Sequence, residues 1–113
     1  MNMIVAYIRP IVKDEVVDRL RRMEVPGASL SEVDGFGLEA DPSGEASYGP
    51  QVSPYVTTVK LEVVCAEERA PAIAKAIAEA AWTGRRGDGK VFVLPVGRAI
   101  DIRTHSEQGD GAT

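Results

Sequence analysis

One cysteine (Cys65), one histidine (His105) and three methionines are all that this chain holds of the soft metal ligands. A single cysteine can build no intrachain disulfide framework, which suits a reducing compartment. Cys65 ends an apolar stretch and reads as an inert buried thiol. His105 has no second histidine with which to form a metal or acid–base pair, and it reads as a solvated side chain of a polar tail. An excess of positive charge is also missing, since 13 Lys and Arg stand against 17 Asp and Glu. Without it there is little of the counterion release that drives binding to a phosphate backbone, so nucleic acid is not an expected partner. No apolar run approaches the roughly 20 residues needed to cross a bilayer, and the start MNMIVAYIRP lacks the charged region of a signal peptide. These absences lead to the expectation of a cytoplasmic protein that meets a membrane only through a partner. Acidic residues are plentiful, yet no pair stands at a spacing assignable to general acid–base work, so an enzyme is not expected.

What is present fits one soluble domain. The chain has 113 residues, of which 44% are hydrophobic and 27% charged, enough for a single modest core. Residues 3–9 alternate with apolar side chains on both sides, as in a strand covered on both faces. After Pro10, the apolar residues Val12, Val16, Val17, Leu20 and Met23 recur at helical spacing. Pro26 and Gly27 are expected to end this helix, and Leu30, Val33 and Phe36 to mark a strand running to Gly37. Residues 38–55 hold Pro42, Gly44, Gly49, Pro50 and Pro54 without periodicity; a connection of this length inside a small domain is read as a functional loop. Residues 56–65 alternate again. A helix follows with Ile73, Ala76, Ile77, Ala80 and Ala81 on one face, then strands at 91–96 and 99–102, and a frayed tail over 105–113. The order βαββαβ, with a short extra strand, predicts an α+β ferredoxin-like sandwich, an antiparallel sheet with both helices on one face. Because the first strand is apolar on both sides, the second sheet face needs cover, and another copy of the chain supplies it most simply.

The motif TGRRGDGK at 83–90 carries glycines at 84, 87 and 89 and ends in Lys90. Glycines let backbone N–H groups approach phosphate oxygens and a lysine adds a point charge; a tight glycine turn with solvated arginines fits the same residues. The run Gly35, Phe36, Gly37 would let backbone approach a ligand while Phe36 packs, although turn or bulge glycines explain it as readily.

Three segments in order, SEVDGFG (31–37), VKLEVV (59–64) and TGRRGDGKVFV (83–93), resemble the P-II nitrogen-regulatory signal-transduction family. IRPIVKDEVVDRL after the first strand and IDIRT near the end extend the similarity over nearly the whole chain. The resemblance implies a homotrimer of ferredoxin-like subunits with an adenine nucleotide (ADP, AMP or ATP) in each cleft between neighbours. Carried over by position, Gly35, Gly37 and Val64 would contact the nucleoside, and Gly87, Asp88, Gly89 and Lys90 would wrap the phosphates. Ser29 and Arg103 would face the same ligand from the adjacent subunit. The loop 38–55 would dock on a transporter or enzyme. Against the family pattern, three cationic positions hold Leu38, Thr58 and Asp101. Glu39 stands where a glutamine helps to hold magnesium and 2-oxoglutarate, and Gln51 replaces a modifiable tyrosine. These departures imply a divergent, P-II-like branch. The alternative weighed is a metal-tolerance or metal-binding trimer of the same fold, which the sparse soft ligands count against.

Overall fold

The computed structural model describes residues 1–36 and 55–107; the expected signalling loop, apart from Tyr55, and the last six residues lie outside the described residues. Strand β1 (Asn2–Ile8) leads through a 3-10 turn (Pro10–Val12) into helix α1 (Lys13–Arg22), followed by strand β2 (Ser29–Gly35). Strand β3 (Val56–Cys65) leads through a second 3-10 turn (Glu67–Arg69) into helix α2 (Ala70–Ala81), and strand β4 (Gly89–Pro95) follows. The four strands form one sheet in the order β2-β3-β1-β4, with every neighbouring pair antiparallel. This is the expected ferredoxin-like arrangement.

The period of two along the strands divides the side chains between the faces. Ile4, Ala6 and Ile8 of β1 and Val59, Leu61, Val63 and Cys65 of β3 meet Val16, Leu20, Ile73 and Ile77 of the helices in the core. Val16 and Leu20 lie one helical turn apart, as do Ile73 and Ile77, so each pair presents one stripe to the sheet. Burial in these apolar surroundings pushes the Cys65 thiol pKa up. On the opposite face, the strand register sets Met3 between Val64 and Leu94, Val5 between Glu62 and Phe92, and Tyr7 between Lys60 and Lys90. No helix or strand of the described residues covers these rows, and Phe92 and Leu94 remain 46% and 41% exposed. Tyr7 and Phe92 pack edge to face with ring centres 6.3 Å apart.

Three local expectations change. Helix α1 stops at Arg22, before Pro26 and Gly27. The Glu24 N–H donates to the Arg21 carbonyl and the Val25 N–H to the Leu20 carbonyl, and Glu24 takes the left-handed conformation (φ 58°). That is a Schellman stop, with Val25 packed on the core beside Leu20; a glutamate there carries no sequence signal of it. Phe36 does not pack inward: it is 84% exposed and meets Tyr55 edge to face. Residues 99–102 form no strand. Asp101 Oδ1 accepts the N–H groups of Arg103 and Thr104, which bends the chain into a turn, and Glu107 returns to an isolated bridge with Ile100 and an ion pair with Arg98.

A non-glycine residue in the left-handed region pays a conformational penalty that glycine does not. Glu24→Gly is therefore expected to stabilise the fold by about 0.5–1 kcal/mol, read as a higher urea midpoint at unchanged m-value.

Candidate functional site

Helix α2 ends at Ala81, and the chain returns to the sheet through the loop 83–88. Its organising group is the Asp88 carboxylate. Oδ2 accepts the Thr83 N–H (2.7 Å) and the Gly84 N–H (3.0 Å). Oδ1 accepts the Thr83 hydroxyl and, at 3.0 Å, the Nε of Arg9. A second nitrogen of Arg9, Nη2, donates to the Arg86 carbonyl at 2.6 Å. The Arg9 and Asp88 side chains are only 10% and 20% exposed. Burial works against the ionised carboxylate, but the hydrogen bonds from Thr83, Arg9 and Gly84 outweigh it and hold the Asp88 pKa down at about 2. The glycines at 84, 87 and 89 have φ of 85°, 90° and 114°, a region that side chains resist.

Gly89 opens β4 opposite Ile8, and there the backbones nearly touch. A Cβ on Gly89 would lie 1.7 Å from the Tyr7 carbonyl oxygen. Gly35, at the end of β2, differs: a Cβ there would meet nothing closer than the Thr58 hydroxyl at 3.8 Å. The fold therefore requires glycine at 89 but has room for a side chain at 35.

The register distributes the remaining candidates over two ends of the sheet. Gly35 pairs with Val56 and Gly89 with Ile8, whose β3 partner is Val59, so both lie toward one end, with Lys90 beside them on the uncovered face. Ser29 pairs with Glu62 and Val64 with Met3, toward the other end. The eight-residue step from Val56 to Val64 spans about 26 Å of strand at ~3.3 Å per residue. Arg103 follows β4 from that second end, since Pro95 pairs with Asn2. Val64 thus keeps company with Ser29 and not with Gly35. Gly37, Leu38, Glu39 and Gln51 lie outside the described residues. Lys90 and Arg103 are exposed. Among the described residues no three His, Cys, Asp or Glu side chains gather to hold a metal, and no helix is long and apolar enough to cross a membrane.

The family model "Nitrogen regulatory protein P-II" matches residues 1–106. The chain belongs to the P-II family. Among its relatives, nitrogen regulatory protein P-II of Cereibacter sphaeroides is 39% identical over 112 residues, 99% of each chain. That of Rhizobium meliloti is 40% identical over 104 residues, 92% of this chain and 93% of the relative. A plant homolog from Arabidopsis thaliana is 37% identical over 109 residues, 95% of this chain but 55% of the longer relative. The sequence reading of this P-II protein named Asp88 and missed Arg9. A lone arginine at a strand end, 79 residues from its partner, carries no local signal.

Two outcomes follow for stability. With its pKa depressed in the fold, Asp88 stabilises the protein above about pH 4, and that contribution is lost as pH falls toward 2. The stability gap between the unaltered protein and Asp88→Asn should be about 2 kcal/mol or more at neutral pH and narrow steadily below pH 4 in denaturant titrations. Gly89→Ala should cost upwards of about 3 kcal/mol or prevent folding, whereas Gly35→Ala should stay within about 0.5 kcal/mol of the parent, both measured by thermal melting.

Proposed function

We propose that this chain is a regulatory subunit that binds an adenine nucleotide between neighbouring copies of itself and signals its occupancy to a partner protein through residues 38–55. The separation of the candidate residues carries the reading. Gly35, Gly87, Asp88, Gly89 and Lys90 belong to one end of the sheet, and Ser29 and Val64 to the other, too far apart for one small ligand inside one chain; Arg103 comes eight residues after β4 leaves that second end. Copies packed through the open sheet face, with opposite ends of neighbouring sheets brought together, would join the halves, and a closed ring of three does this for every copy. The uncovered rows around Met3, Phe92 and Leu94 supply apolar surface for that contact, at about 25 cal/mol per Å² buried.

In this arrangement the backbone of 87–90 wraps the phosphates, as the glycine-rich turn permits. Lys90 and Arg103 supply cations, and neither makes an ion pair among the described residues. Asp88 contributes backbone, because its carboxylate is already held by Arg9, Thr83 and Gly84. Gly35 and Gly37 allow close approach of the nucleoside, and Glu39 is a candidate oxygen ligand for magnesium. The protein then acts by binding, in the cytoplasm, on a transporter or transport-linked enzyme, and not by catalysis. With Leu38, Thr58 and Asp101 at three positions that are cationic in the family pattern, ATP loses contacts worth on the order of 1.5–3 kcal/mol each. ADP and AMP compete well as a result, and 2-oxoglutarate binds weakly.

Calorimetry with AMP, ADP and ATP, each with and without magnesium and 2-oxoglutarate, tests this, together with light scattering for the assembly. The expected result is a trimer whose affinities for the three nucleotides fall within about tenfold of each other. Gly35→Ala should weaken binding without lowering the melting temperature. A monomer that binds no adenine nucleotide would overturn the proposal.

A further inference from the structure

We infer that Arg9 is the positioning residue of the 83–90 loop, cancelling the charge of Asp88 so that the loop can receive a phosphate; the inference rests on the nucleotide reading above. The loop contains a conflict. Asp88 must be ionised to gather the Thr83 hydroxyl and the N–H groups of Thr83 and Gly84, which hold the turn closed. The same negative charge stands inside a loop meant to surround an anion. Two like charges about 6 Å apart at an effective dielectric of about 20 repel enough to weaken binding on the order of a hundredfold. Arg9 removes the conflict from below. It stands at the end of β1, next to Ile8, the strand partner of Gly89. Its guanidinium reaches Asp88 Oδ1 at 3.0 Å and the Arg86 carbonyl at 2.6 Å. The planar fork binds both groups at once, which a single ammonium does less well. Because Arg9 is buried, salt in the solvent screens this pair poorly. The exposed cation Lys90 then meets the ligand without an adjacent uncompensated carboxylate.

The test compares Arg9→Gln, Arg9→Lys and the double variant Arg9→Gln/Asp88→Asn in the full chain, by calorimetry with AMP, ADP and ATP at low and high salt. Amide exchange at Thr83 and Gly84 reports the loop without any ligand. Arg9→Gln should weaken ATP on the order of a hundredfold or more and AMP about tenfold less than that, a gradient that follows ligand charge and shrinks at high salt. Arg9→Lys should recover most of the loss. The double variant, which leaves no buried carboxylate unpaired, should bind ATP more tightly than Arg9→Gln; if Arg9→Gln does not fold, the double variant should still bind ATP within about tenfold of the parent. An equal loss for all three nucleotides, or a double variant no better than the single one, would overturn the inference while leaving the nucleotide site standing. An unaltered protein that binds no nucleotide would sink both.

Discussion

Strand β1 has to satisfy four neighbours at once, and most of the molecule is arranged around that constraint. Along its edges it hydrogen-bonds β3 on one side and β4 on the other. Toward the helices it presents Ile4, Ala6 and Ile8, each no more than 2% exposed. Away from them it presents Met3, Val5 and Tyr7, which among the described residues meet only the flanking side chains of the sheet; these leave Val5 8% exposed. Edge pairing fixes the approach of β4 so closely that Gly89 admits no Cβ. The next residue after the strand, Arg9, then falls beside the loop that β4 grew from. The loop 83–88 is thus held by backbone contact where β4 begins and by the buried Arg9–Asp88 ion pair beside it, both anchored at the end of one strand.

The two uses of β1 also explain why fold and function are hard to separate here. Large apolar side chains on an open sheet face destabilise nothing inside a monomer, but they cost solubility unless covered. Covering them with a copy of the same chain juxtaposes opposite ends of neighbouring sheets. Under the proposed function, assembly and ligand binding would share one interface, and what tightens one would tighten the other.

Much of this was legible in the residues themselves. The alternation in β1 and β3, the helical stripes of Val16 with Leu20 and Ile73 with Ile77, and the glycine spacing of 83–90 are local patterns with one dominant physical solution. What escaped depended on partners distant in sequence or on residue types that do not announce their geometry. Glu24 in the left-handed region is such a case, because tertiary packing of Val25 selects the stop that glycine usually marks. Ala99, Ile100, Asp101 and Ile102 alternate like a strand, yet Asp101 finds N–H groups two and three residues on and caps a turn instead. The placement of Val64 with Ser29 is a matter of register, which no single strand reveals. Arg9 and Asp88 meet only because β1 and β4 are neighbours in the sheet.

A chain with a net charge of −4 is at first sight a poor host for a polyanion. The distribution of the charge resolves this. Helix α1 opens with Asp14 and Glu15 and the 3-10 turn before α2 with Glu67 and Glu68, so several acids belong to the layer behind the sheet. At about 0.15 M salt, exposed charges more than ~8 Å apart are largely screened from one another, and acids behind the sheet contribute little to the potential on its other side. Within the loop, the charge of Asp88 is spent on Arg9 and on closing the turn, and Lys90 stands exposed at the start of β4. Local potential, not net charge, decides what a site attracts. Here the one acid inside the motif is also the one that Arg9 neutralises, so a net charge of −4 does not by itself set the potential at this loop.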